Sequence, residues 1–252
     1  MLRNSLVAVV MIVVAFNSGA GLVAQEPGLK FRFESNNTLS FRSDSNSKSE
    51  HSVSPDGQMR VAVDFKKIQV LSVSNDTVLH EFATPNRAMA PTFSPDQKSL
   101  VFADCTGNLA CESRFYIHQL EGGRQATMGS CFGTTTQIAF SADGKRVAAV
   151  SVYDPIMALL AQQQFKKSLG GEIVVFDLAT KSELLHMAFE TPNAESAPLK
   201  SMSQIVDQIA LDNDGTTLLV TANSGVVKVI DVNAGAEKIS LTIPAVDLSS
   251  KN

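Results

Sequence analysis

The run Ile138-Ala139-Phe140-Ser141-Ala142-Asp143-Gly144-Lys145-Arg146-Val147-Ala148-Ala149-Val150 sets two apolar stretches on either side of a tight polar turn. The same plan returns at Val53-Ser54-Pro55-Asp56-Gly57, at Phe93-Ser94-Pro95-Asp96-Gln97 and at Leu211-Asp212-Asn213-Asp214-Gly215. In each, Asp stands where its carboxylate can accept from its own turn, and Gly stands where φ is positive. Gln97 breaks the Gly rule, which predicts a different or strained turn there.

Working outward, each turn is followed by further apolar stretches of strand length. The first unit continues through Met59–Val63, Lys67–Val73 and Thr77–Phe82. The second runs Ser99–Ala103, a cysteine-bearing loop, Arg114–Leu120 and a return strand after Glu121-Gly122-Gly123. The third runs from Ile138 to Val152, breaks for an insertion, and resumes at Glu172–Leu178 and Glu183–Met187. The fourth uses Gln208–Leu211, Thr217–Val220, Val226–Val232 and Ala236–Leu241. A unit of about 40 residues holding four strands is the pattern of a β-propeller blade. One such sheet has two apolar faces and cannot bury both alone, so neighbouring units must stack around an axis. The predicted fold is all-β, a propeller-like array of about four four-stranded blades with one short inserted helix.

The Ser-Pro-Asp-Gly turns and the strand Ile173-Val174-Val175-Phe176-Asp177-Leu178 resemble those of WD-repeat and YVTN-type propellers. Phe176-Asp177 and Ile230-Asp231 stand where those families often place Trp-Asp. The unit from Phe93 to Gly123 is similar to the propeller repeat of TolB-like proteins. This resemblance spans roughly residues 51–242 on repeat grounds. It implies a fold and is nearly silent on activity. The chain has no Trp, and Leu71-Ser72 and His118-Gln119 lack the Asp.

Outside the repeats, the N-terminus reads as an export signal. Arg3 supplies the positive end, Leu6 to Phe16 is unbroken and apolar, and Ser18, Gly19, Ala20 and Ala24 offer cleavage after Ala20 or Ala24. The alternative is an uncleaved membrane anchor, for which the run alone is short of the roughly 20 residues a span needs. Residues 1–24 are the signal, 25–50 a linker and a hairpin, 51–244 the repeats and 245–252 a tail. The hairpin pairs Leu29–Glu34 with Thr38–Arg42 across Ser35-Asn36-Asn37, with Phe31, Phe33, Leu39 and Phe41 on one face. It would supply closing strands or a degenerate fifth blade. If it does neither, the array is open and a homodimer is expected, because bare sheet edges invite pairing.

The chain of 252 residues has a net charge of −4, and loss of Arg3 would make it −5. Without a basic stripe, nucleic-acid binding is not expected. Export permits disulfides. Of the three cysteines, Cys105 and Cys111 bracket a short loop and are the first choice for a pair. Pairing of Cys131 with either stays open, as does the reading of all three as buried small hydrophobes.

The surplus length of the third unit holds the one segment with a functional flavour. A helix is predicted over 154–169, with Asp154 as N-cap, Pro155 in the first turn and Gly170 as the stop. Met157, Ala161, Phe165 and Leu169 recur every four residues, with Ile156 and Leu160 beside them. Ile156, Met157, Leu160 and Phe165 are the candidate partner-binding residues; the competing reading packs the same face onto the propeller. Residues 190–204 read as loop. Gly129-Ser130-Cys131-Phe132-Gly133 has the letters of a nucleophile elbow but lacks the strand-to-helix setting, so it reads as a turn. His51, His80, His118 and His186 are assigned to different blades and to surfaces or edges rather than to one shared site. No catalytic, cofactor or metal set is singled out.

The reading is therefore an exported, periplasmic or secreted, non-catalytic propeller that binds or scaffolds another protein of the envelope or exterior. The alternatives are a lactonase- or lyase-type propeller enzyme with its site at the channel mouth, and a truncated propeller without independent activity.

Overall fold

The computed structural model describes residues 49–106, 111–165, 169–190, 206, 208–222 and 226–242. The signal, the 29–42 hairpin, most of the 190–204 loop and the 245–252 tail lie outside the described residues. The strands are β1 (Ser49–Val53), β2 (Met59–Asp64), β3 (Lys67–Ser72), β4 (Val78–Ala83), β5 (Ala88–Phe93), β6 (Ser99–Thr106), β7 (Glu112–Gln119) and β8 (Gln125–Phe132). They continue as β9 (Thr134–Phe140), β10 (Arg146–Val152), β11 (Leu169–Asp177), β12 (Glu183–Glu190), β13 (Gln208–Leu211), β14 (Thr217–Thr221), β15 (Val226–Asp231) and β16 (Ala236–Thr242). A single described helix, α1 (Pro155–Phe165), is inserted between β10 and β11.

The strands form four antiparallel sheets of four, each in sequence order: β1–β4, β5–β8, β9–β12 and β13–β16. The first strands of successive sheets adjoin, β1 with β5, β5 with β9 and β9 with β13. This is a β-propeller-like array.

Three cores lie between the sheets. Val61, Ile68 and Val70 meet Phe93, Leu100 and Phe102. Phe115, Ile117 and Met128 meet Phe140, Val174 and Phe176. Val150, Ile173 and Val175 meet Leu211, Leu218 and Ile230. The middle sheets are covered on both faces, which explains the uninterrupted apolar run at Val147–Val150. Val147 and Ala149 point to one core, Ala148 and Val150 to the next. Among the described residues no cluster of this kind joins the fourth sheet to the first.

The repeated turns form as their letters dictate. Gly57, Gly144 and Gly215 have φ of 75°, 70° and 74°, and each donates its N–H to the carbonyl of the residue three positions earlier. Gln97 takes the same left-handed conformation, with φ 62°. Its amide, oriented by its partners, donates to Asp56 at 2.8 Å and so ties the second sheet's turn to the first. That link gives a reason for a strained Gln where the other turns carry Gly.

Within the turns, Ser54 and Ser94 each donate their hydroxyl to the Asp two residues on at 2.6 Å. These hydroxyls, and the N–H of Gln58 and Lys98, hold Asp56 and Asp96 below the ordinary carboxylate range. The N–H of Thr216 and of Ala234 does the same for Asp214 and Asp231. Depressed folded-state values stabilise the fold above the unfolded carboxylate value, and that stabilisation is lost as pH falls through them. The thermal midpoint should therefore drop as pH goes from about 4 towards about 2. Asp96→Asn should start lower at neutral pH and lose less on acidification. An equal acid-induced drop in both proteins would contradict the assignment.

Four expectations need correction. Strand β1 begins at Ser49, inside the polar stretch read as a connection, because its backbone pairs with β2 from Ser49↔Val63 to Val53↔Arg60. The helix does not reach 169: its described span is Pro155–Phe165, and Leu169 and Gly170 open β11, where Leu169 pairs with Glu190. Gly129 to Phe132 are not a turn but the end of β8, with Gly129 opposite Phe115 and Cys131 opposite Ser113. His51 and His80 fall in the same sheet, on β1 and β4.

Candidate functional site

Every sheet runs in the same order, so the connections between second and third strands share one rim. That rim carries the Phe65-Lys66 turn, the Cys105–Cys111 segment and α1. The opposite rim carries the polar Ser- and Asp-bearing turns.

Helix α1 starts where its sequence says. The N–H of Met157 donates to the Asp154 carboxylate at 2.8 Å, and the N–H of Ala158 to the Asp154 carbonyl at 2.9 Å. This is an N-cap that satisfies donors a helix start otherwise leaves open. Pro155 in the first turn forfeits no helical hydrogen bond. The segment Pro155–Phe165 carries no charged side chain and is apolar at six successive positions from Ile156 to Ala161. A helix apolar on all sides needs more than one apolar neighbour.

It has one within the chain. Ala161 packs with Tyr153 and Leu169, joined by Met157 and Ala158. On the other side Ile156, Leu159 and Leu160 expose 47, 55 and 51% of their surface, and Phe165 at the end exposes 55%. Residues spaced i, i+3 and i+4 lie along one helical face. Of the sequence-predicted set, Ile156, Leu160 and Phe165 are thus exposed and Met157 is partly buried. Leu159 was missed by the four-residue periodicity and belongs to the exposed row. Phe132 is also about half exposed and adjoins the root of α1. A Cβ on the next residue, Gly133, would lie 2.5 Å from the Val152 carbonyl and 3.1 Å from the Tyr153 nitrogen.

A buried carboxylate fastens that root. Glu172 on β11 is 8% exposed. Its Oε1 accepts from the Tyr153 hydroxyl at 2.6 Å, and its Oε2 from the Phe132 N–H at 2.9 Å. His186 Nε2 on β12 lies 3.0 Å from the same Oε2, and Nδ1 lies 3.3 Å from Glu183 Oε2. Three elements, β8, β12 and the entry to α1, thus converge on one side chain. A buried carboxyl group is tolerated when its oxygens are hydrogen-bonded, and those of Glu172 find Tyr153, Phe132 and His186. Burial, then the bond to Glu172, drives the Tyr153 phenol upward, so it stays a protonated donor. The alternation of β11 contained the signal: Glu172 shares a face with Val174 and Phe176, both fully buried.

The cysteines divide. Cys105 and Cys111 are joined by a disulfide with Cα atoms 5.5 Å apart, and Cys131 is free and buried. Burial pushes the Cys131 thiol up to about 12, and it donates to Ser151 Oγ at 2.9 Å. A thiol so placed is a poor nucleophile. The histidines do not converge: the His118 ring stacks on Phe82 at 3.6 Å, in another sheet from His186. Among the described residues no group of three or more His, Cys, Asp or Glu is spaced to hold a metal ion. No described helix is long and apolar enough to cross a membrane.

No protein-family model matches the sequence, and no characterised protein matches it by sequence. Among solved structures, the chain is similar to Kuenenia stuttgartiensis hydrazine synthase, with a TM-score of 0.51 and 16% identity. The likeness covers 78% of this chain and 54% of that one, so the chain spans about half the length of the structure it resembles. At that identity the likeness speaks to fold alone, and it places the four sheets in a propeller-like arrangement.

Proposed function

We propose that this protein is an exported, non-catalytic propeller of WD-repeat or YVTN type that binds another protein through α1. The observation that carries the reading is the row Ile156, Leu159 and Leu160, about half exposed on an uncharged helix anchored on its opposite side. Exposed apolar residues gathered on one element mark an interaction surface, whereas scattered ones do not. Phe132 and Phe165 are also about half exposed, and aromatic surface of this kind is enriched at interfaces. Helix-in-groove recognition uses this i, i+3, i+4 spacing.

The test is capture from an envelope extract with purified chain as bait, beside the double substitution Leu159→Glu, Leu160→Glu. Both positions are on the open side, so the variant should keep its thermal midpoint. Central anchors of an interface cost roughly 2 kcal/mol or more when lost, so recovery of the partner should fall about tenfold or further. Undiminished capture by a folded variant would remove α1 from the interface.

A further inference from the structure

We infer that residues 29–42 of this chain lie on the face of the fourth sheet, β13–β16, that is turned away from the third, and cap that end of the array. This goes beyond the reading of α1 and does not depend on it.

Strand register sorts the side chains of the fourth sheet onto two faces, because directly paired residues share one. Leu211, Leu218, Val220 and Ile230 turn towards the third sheet. The opposite face carries the row Ala210, Leu219, Val229 and Ile239, and beside it Thr221, Val227 and Leu241. It is thus apolar on all four strands. It is also deeply buried: Ala210 and Leu219 are 1% exposed, Val227 2% and Val229 6%. Yet none of these four belongs to a core cluster among the described residues. The elements that adjoin β13 from outside its sheet, β9 and β10, belong to the third sheet, on the other side. Side chains that stand out from a sheet are shielded by whatever is stacked on it, so another segment covers this face.

The first sheet is not built to be that cover. Its face turned away from the second sheet carries Arg60, Gln69 and Glu81 beside Ala62 and Leu71. Gln69 Nε2 donates to Glu81 Oε2 at 2.6 Å, and Arg60 pairs with Asp76 at 3.0 Å. An apolar face laid directly on these charges would strip them of water. The same mismatch opposes head-to-tail stacking, in which one copy's fourth sheet would meet another's first. The fourth sheet needs an element apolar on one side and polar on the other, which is what a repeat array requires of its terminal cap.

Residues 29–42 carry that pattern. Phe31, Phe33, Leu39 and Phe41 alternate with polar residues, Lys30 and Arg32 among them. By contrast, residues 6–16 are apolar without alternation, and the segment after Thr242 meets Pro244 at once. Chain length permits the placement. A propeller turns its sheets about an axis, so the position after the fourth sheet returns towards the first. Packed sheets stand about 10 Å apart, and the residues from Arg42 to Ser49 reach up to about 25 Å when extended. The hairpin can therefore sit beyond β13–β16, its polar side towards the first sheet, while the chain goes on into β1.

Proton–proton contacts in the full chain, measured by NMR, test this. The Leu219 and Val229 methyls should show contacts to the Phe31 or Phe33 ring, and these should not change on dilution. Phe33→Ala should raise amide exchange over 217–221 and 226–231 on the order of tenfold or more, the scale of losing one large apolar side chain from its contacts. Exchange over 59–72, in the first sheet, should stay at the native rate. Arg32→Ser, on the polar side, should change neither. Contacts from Leu219 to Val246 or Leu248 would give the face to the C-terminal tail and overturn the cap. Contacts found only between differently labelled copies, and fading on dilution, would give it to a dimer and overturn the cap equally. So would fourth-sheet exchange that ignores Phe33→Ala or rises as much in Arg32→Ser. Should Phe33→Ala fail to fold, the contacts of the native chain decide alone.

Discussion

Phe176→Ala should be the most destabilising single truncation in the chain, costing about 3–5 kcal/mol by denaturant unfolding. Phe176 is 0% exposed and sits in the core between the second and third sheets. Its ring lies 5.3 Å from that of Phe115, tilted by 52°. On the same side Gly129 leaves the room it fills, since a Cβ there would stand 2.7 Å from Phe176 Cε1. The ring therefore plugs a gap that no side chain on β8 occupies, and nothing nearby can collapse into the space it would vacate. The cost is the lost transfer energy plus the cavity, which is why it should sit at the upper end of aromatic truncations. Phe176→Leu should recover part of it. Combining Phe176→Ala with Phe115→Ala should cost less than the sum of the two, because each ring loses the same partner only once. A Phe176→Ala penalty below about 1 kcal/mol would mean that the second and third sheets do not stack as described.

The propeller-like plan was legible because it is written locally and repeatedly. Ser-Pro-Asp-Gly and its variants specify turns by short-range hydrogen bonds and by φ at one position, and those interactions do not depend on the rest of the chain. The N-cap of α1 was legible for the same reason. What misled was composition. Ser49 to Ser52 look like a linker, yet an innermost strand needs only its backbone paired, and Ser49 and Ser52 find Val63 and Val61 opposite. Leu169-Gly170 look like a helix end, yet the pairs Leu169↔Glu190 and Gly171↔Phe189 claim them for β11, with Gly170 at the irregularity between.

The site was only half legible. An apolar helix can be recognised from spacing, but which side is covered depends on where Tyr153 and Leu169 stand. That placement turned Met157 inward and left Leu159 outside. The Glu172 hub joins residues from β8, β11, β12 and the α1 entry, which are brought together only by the stacking of two sheets and the register of three strands. Its single local trace is a charged residue alternating in step with Val174 and Phe176. The partners Tyr153 and His186 carry no such trace.

Gly171→Ala should strike fold and site together. A Cβ at Gly171 would fall 2.0 Å from the Ser151 carbonyl oxygen and 2.8 Å from Phe189 Cζ. The ring can turn aside; the carbonyl belongs to the paired strand and cannot retreat without opening the ladder. The rung at stake is the last one between β10 and β11, Val152↔Gly171, beside the Tyr153 N–H bond to the Gly170 carbonyl at 2.9 Å. Overpacking costs typically about 1–3 kcal/mol, and a clash with backbone rather than with a mobile side chain belongs at about 3 or above. Gly57→Ala is the informative control. It meets no atom within 4 Å but keeps φ at 75°, so it bears only the left-handed penalty of about 1–2 kcal/mol. If Gly171→Ala proves no worse than Gly57→Ala, the close approach of β10 to β11 is not what seats α1. If it is worse and hydrogen exchange of residues 156–165 rises with it, the helix owes its position to a glycine outside it. In that event the exposed row is held in place by the sheet rather than by any preference of its own sequence, since an 11-residue helix is too short to persist alone in water.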